Sequence, residues 1–207
     1  MKQLKEAEDR IDFFQNSPRG TILRALTLHD ITFWATYAFI SVVFALFVVE
    51  FVGKGNAIHV GISLFLMQLA AALAAIPVGK VFDHYRGYLD EVYALAGASL
   101  IAGALYILLS FSTSVWELYI LSVGIGIANV TDMVAWRALF YTNIEKEEYS
   151  ETVGTYQTAM GVTSALAAAL AGFIGEKFGF DTVILLGGIV IMIGGFLPLT
   201  IRSFFRK

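Results

Sequence analysis

Six apolar runs, each about as long as a bilayer is thick, alternate with short polar stretches along the chain: 32–52, 60–81, 92–111, 115–140, 152–175 and 182–201. A helix rises ~1.5 Å per residue and a hydrocarbon core is ~30 Å deep, so each run can cross once. Backbone groups in lipid must bond among themselves, which leaves helices or a closed barrel. The strict alternation that barrel strands need is absent from these runs, so helices are predicted. No stretch between them reads as a linker, and the pattern predicts one six-helix domain over 19–207. Ahead of it, residues 4–14 place Leu4, Ala7, Ile11 and Phe14 on one side of a helix. That spacing predicts a short amphipathic segment on the headgroups, with an unstructured charged tail as the other reading. Ser17-Pro18 then opens a new helix that leads into the first crossing.

Polar residues interrupt the runs unevenly. The third and sixth are nearly pure hydrocarbon, whereas the first, second, fourth and fifth carry Tyr37, Ser41, Glu50, Gln68, Asn129, Asp132, Gln157 and Thr163. Polar side chains in a bilayer turn toward a bundle interior or a wet cavity. Helices one, two, four and five are therefore expected to line a cavity, and three and six to face lipid. Its lining is expected to include Tyr37 and Ser41 from the first helix and Gln68 from the second. Asn129, Met133 and Trp136 would come from the fourth, and Gln157, Met160 and Thr163 from the fifth. The fifth helix also carries two small-residue ladders, Ser164–Ala168–Gly172 and Ala167–Ala171–Gly175, which suit close helix packing.

Composition agrees with a membrane protein. Hydrophobic residues make up 57% of the chain, charged residues 15%, and mean hydropathy is +0.72. Soluble domains average about 45–50% apolar and about 25% charged. There is no cysteine, no His/Asp/Glu cluster has metal-ligand spacing, and no nucleophile–base pair is evident. Neither a metal, a cofactor nor an enzyme is predicted. A formal charge of −3 gives no reason to expect a nucleic-acid partner. Of the 14 Lys and Arg residues, all but Lys54 and Lys177 fall before the first run, in or beside the second and fourth loops, or at the C-terminal end. The positive-inside rule then puts both termini in the cytoplasm of a multi-pass protein of the cell membrane.

Asp132 is the most demanding residue. It lies about 24 Å along the fourth helix from Trp116, in the cytoplasmic third. An unpaired carboxylate there costs roughly 2.5–3.5 kcal/mol on insertion scales, so a partner or a proton is required. Arg137 is five residues on, about 500° round the helix, which makes Arg86 in the preceding inner loop the expected partner. Asp132 is either a member of a gate or proton relay or, more simply, a fixed ion pair that clamps the loop. Glu50, at the outer end of the first helix, is read as a headgroup-level carboxylate, with proton carriage as its other role.

The loop Gly79-Lys80-Val81-Phe82-Asp83-His84-Tyr85-Arg86-Gly87 resembles the signature of the major facilitator superfamily (Gly, three residues, Asp, a basic residue, any residue, Gly, basic residues). Gly79 and Asp83 match, His84 replaces the usual Arg or Lys, and Arg86-Gly87 reverses the usual order. Gly124-Ile125-Gly126 resembles the family's Gly-x-Gly in the fourth helix, and 148–181 is similar to its fifth helix and exit. Lining by helices one, two, four and five is also that family's layout. Ile120 stands where an arginine often precedes the Gly-x-Gly, and Ala165-Leu166 replaces the Gly-Pro pair of the antiporter signature. The resemblance thus implies neither arginine-based proton coupling nor antiport.

What it does imply is a six-helix half built of two three-helix repeats, with substrate bound between two such halves. It also implies a gating role for the Asp83–Arg86 loop, beside the ion-pairing residues Asp132 and Arg137. The expected function is a half-size transporter that moves a small solute by alternating access as a homodimer. The other reading is a non-transporting subunit, or a separated half, that pairs with a different six-helix half.

Overall fold

The computed structural model describes residues 17–52, 54, 56–84 and 87–205; the amphipathic segment 4–14 and Arg86 lie outside them. Helix α1 runs from Pro18 to Val52 and begins well before the apolar run that announces it. Its start follows from local chemistry: the Ser17 hydroxyl accepts the Gly20 N–H at 2.9 Å, and Pro18 sits in the first turn, where its missing N–H is no loss. Two π-helical turns, Ile31–Ala35 and Val48–Val52, interrupt it.

Helix α2 spans Ile58–His84, α3 Leu89–Ser110 and α4 Val115–Thr142. A capping box opens α4: Ser114 caps the helix while the Glu117 carboxylate accepts the Ser114 N–H at 3.2 Å. Helix α5 spans Tyr149–Phe178 and α6 Phe180–Gly194, with a 3-10 extension Pro198–Phe204. Gly179 between them has φ 97°, a conformation that a side chain strains. All 6 are long and apolar enough to cross a membrane.

Successive crossings bring residues 17 and 205 to the same end of the bundle, here termed the terminal end. There Arg19 pairs with Glu145 and ties the start of α1 to the α4–α5 turn. Helices α2 and α3 pack on α4, α5 and α6 pack on α1, and α3 packs on α6. Exchanging α1 with α4, α2 with α5 and α3 with α6 maps these pairings onto one another. Because α1 and α4 run in opposite directions, the two triplets are inverted repeats.

With no solvent to drive helices together, close backbone approach supplies their attraction. A Cβ on Gly103 of α3 would stand 2.6 Å from the Gly188 carbonyl oxygen of α6, and one on Gly126 of α4 would enter the Met67 carbonyl of α2. Only the second small-residue ladder of α5 is used in this way. Ala171 and Gly175 are buried, Gly175 beside Val43 of α1, while Gly172 faces open space.

Burial is distributed against two helices. Ser63, Met67 and Phe82 are the buried residues of α2, and Thr152, Ala171 and Gly175 those of α5. Leu64, Phe65, Leu69, Leu73 and Ile76 of α2 and Val162, Leu166, Leu170 and Phe173 of α5 are exposed. By contrast α3 and α6, joined through Gly103 and Gly188, are half enclosed.

Candidate functional site

The buried interior is divided into two apolar clusters with a polar layer between them. Phe33, Ala102, Ala128 and Ile191 belong to one cluster, and Leu26, Leu95, Ala135 and Ile201 to the other, nearer the terminal end. Between these positions, on four different helices, lie His29, Ser99, Asp132 and Gly194. Both His29 and Asp132 have side chains with 0% exposure.

Asp132 finds a partner for its Oδ1 in His29 of α1, whose Nε2 lies 3.0 Å away, and the Ser99 hydroxyl donates to the same oxygen at 3.0 Å; the expected partner, Arg86, lies outside the described residues. The other imidazole nitrogen, Nδ1, faces the Gly194 carbonyl oxygen at 3.2 Å, and a carbonyl can only accept. Nδ1 therefore carries a hydrogen, so Nε2 and Oδ1 meet across one shared proton. The pair is either imidazolium with carboxylate or neutral imidazole with carboxylic acid, and is neutral as a unit in both. That is what a fully buried site requires.

Asp30, the next residue of α1, is 2% exposed and accepts the Tyr156 hydroxyl of α5 at 2.5 Å. His29 and Asp30 together join α1 to α4, α5 and α6, and Asp132 carries the link on to Ser99 of α3. Sequence reasoning missed both because they precede the first apolar run. The available signal is spacing: Ile22, Leu26, His29 and Phe33 recur at three- and four-residue intervals, which puts His29 on the buried stripe.

Trp136, expected in the cavity, belongs to the core. It is 4% exposed, its Nε1–H donates to the Leu26 carbonyl at 3.0 Å, and its ring stacks on Phe140 with centroids 4.3 Å apart. A large ring beside hydrocarbon helices is worth more buried than exposed once its N–H has an acceptor. Trp136→Phe keeps the stack and removes one buried hydrogen bond; unfolding in mixed micelles should show a loss of about 1 kcal/mol.

A second group of residues faces the open side. One depression of about 160 Å³ is bordered by Tyr37, Ser41, Phe44, Leu64, Met67 and Tyr106 among others. A neighbouring one of about 110 Å³ is bordered by Trp34, Tyr37, Met67, Gln68, Asn129 and Met133 among others. They share Tyr37 and Met67, and among the described residues no Asp, Glu, Lys, Arg or His borders either. Sites that enclose a drug-sized ligand occupy about 300–1,000 Å³, so neither hollow suffices alone. On α5, Gln157 is exposed and Met160 and Thr163 are half-buried, with the Thr163 hydroxyl bonded to the Ala159 carbonyl at 2.7 Å.

A match to the Major Facilitator Superfamily runs over residues 27–206 and takes in every one of these groups. The chain belongs to the Major Facilitator Superfamily. It is also similar to a tetracycline resistance protein, class H, of Pasteurella multocida, at 29% identity over 128 residues. That similarity takes in 61% of this chain and 31% of the relative, so the chain spans well under two thirds of the relative it matches. No solved structure matches it.

The family is one of membrane transporters and not of enzymes. The remaining residues singled out in the sequence are dispersed. Asp83 is exposed at the last turn of α2, beside a loop whose Arg86 lies outside the described residues. Glu50 is exposed in the second π-helical turn of α1, far from the polar layer. Arg137 is exposed on α4, close enough to bias Asp30 and Tyr156 electrostatically. Among the described residues of this family member, no group of three His, Cys, Asp or Glu is placed to hold a metal ion.

Proposed function

We propose that this chain forms one wall of a secondary transporter that carries a small solute by alternating access, and that a second copy of the chain supplies the other wall. The observation that carries this reading is the uneven enclosure of the bundle. Helices α2 and α5 are 11% and 17% buried over their most apolar windows, against 50% for α3 and α4. The weakly enclosed helices are also the ones that present Gln68 and Gln157 outward, among exposed Leu, Phe and Val. Amides turned to lipid are costly, and a facing six-helix unit that shares a wet passage removes the cost.

With both termini cytoplasmic, two copies are related by an axis along the membrane normal. Their hollows then face one another at mid-membrane and form a space adequate for a solute. The buried His29–Asp132 layer acts as a clamp that keeps each six-helix unit rigid while the two units rock, and the Asp83 loop steadies the inward-closed arrangement.

A different six-helix half is the second reading, favoured by one observation: the matched segment is 31% of the relative, which therefore contains much sequence beyond it. The absence of native cysteine makes the test direct. Gln157→Cys, oxidised in proteoliposomes of the purified chain, should give a disulfide-linked dimer in high yield, and the link should halt solute flux. A monomer that resists cross-linking and passes no solute contradicts the homodimer. Rescue by a co-expressed six-helix partner would establish the second reading.

A further inference from the structure

Asn129 is 8% exposed, borders the smaller hollow, and its Oδ1 has no hydrogen-bond partner within the fold. The Tyr106 hydroxyl is a side-chain hydrogen-bond partner of the amide, and Gly126 and Met133 flank it along α4. An acceptor left open beside a hollow is a recognition element, because every buried polar group that lacks a partner weakens the fold that holds it. A terminal amide turns over a broad range about its last torsion, so Oδ1 can come to the hollow's surface with the backbone fixed.

Two further features narrow the ligand. Trp34 and Tyr37 stand edge to face, with centroids 5.4 Å apart, and form an aromatic wall over the same hollow. Among the described residues no charged side chain or histidine borders it, so an ionised group would enter without a counter-charge.

From these we infer that the hollow beside Asn129 takes an uncharged aromatic solute whose ring lies against Trp34 and Tyr37 and whose N–H or O–H donates to Asn129 Oδ1. This inference names the substrate class of the passage proposed above and rests on that reading for its transport, though not for its binding.

Three probes of one ring size separate the contributions: 2-naphthol, which donates, 2-methoxynaphthalene, which cannot, and 2-naphthoate, which is charged. Saturable binding to the full chain in nanodiscs is read by saturation-transfer NMR, with empty nanodiscs to remove lipid partitioning. The naphthol should bind at least about tenfold more tightly than its methyl ether, since the ether leaves the acceptor unpaired. Asn129→Leu should bring the two to within about twofold, and Trp34→Ala should weaken both. Equal binding of naphthol and ether by the unmutated chain overturns the inference, as does preference for the naphthoate or no saturable binding at all. The ether comparison uses the native sequence, so a poorly folded variant does not spare it. If discrimination holds while proteoliposomes show no flux, the transport reading fails and the binding site stands.

Discussion

His29→Leu should destabilise the bundle by about 3–5 kcal/mol, the range for removal of one partner from a buried pair. The substitution touches three groups at once: Asp132 Oδ1 keeps only Ser99, the Gly194 carbonyl keeps only the Leu197 N–H of its two donors, and the shared proton loses one of its two holders. Chemical unfolding in bicelles measures the loss. The double variant His29→Leu/Asp132→Leu should be more stable than His29→Leu, because two apolar side chains then fill a site already lined by Leu26, Phe33 and Leu95. If the double variant is worse by the sum of the singles, the pair is not a coupled unit. Asp132→Asn separates clamp from relay. An Asn amide can still donate to Nε2, so the clamp reading expects a folded protein with flux retained. A folded variant that has lost only gradient-driven flux, with exchange intact, would make the layer a proton relay.

Gly126→Val should be nearly as damaging, about 3 kcal/mol or more, through backbone collision rather than charge. A Cβ at this position meets the Met67 carbonyl carbon at 2.9 Å and cannot be accommodated by a side-chain rotation. Helices α2 and α4 must separate, and the hollow shared by Met67, Gln68 and Asn129 opens with them. Gly172→Ala provides the control. Nothing lies within 4 Å of a Cβ there, and alanine favours a helix interior over glycine by about 1 kcal/mol, so the single bundle should be unchanged or slightly stabilised. Weakened dimerisation in Gly172→Ala would place this face of α5 against the second wall.

The contrast between these sites shows what the sequence makes legible. Six crossings can be read from apolar length alone, because a bilayer imposes the same requirement on every helix. Glycines that matter and glycines that do not look alike: Gly126 and Gly172 both sit in small-residue surroundings, and only a neighbouring backbone tells them apart. The polar layer was half visible. Asp132 announced its need for a partner, but its choice among Arg86, Arg137 and a residue 103 positions away depends on how helices pack. The chain itself misleads here, since His29 and Asp30 read as a polar lead-in to an apolar run. They lie instead inside a helix that starts at Pro18 and whose buried stripe includes Ile22 and Leu26. Trp136 was misplaced for a related reason. Its helical stripe is shared with Asn129, yet Asn129 borders a hollow and Trp136, seven residues on, meets Leu26 and Phe140.

The most direct test of the two-walled passage is the subunit count in a bilayer. Single-molecule photobleaching of the purified, singly labelled chain in liposomes at low protein-to-lipid ratio should give two-step traces for most particles. Lipid-borne quenchers should then fail to reach probes at positions 68 and 157. One-step traces throughout, with both positions open to the quencher, would contradict it.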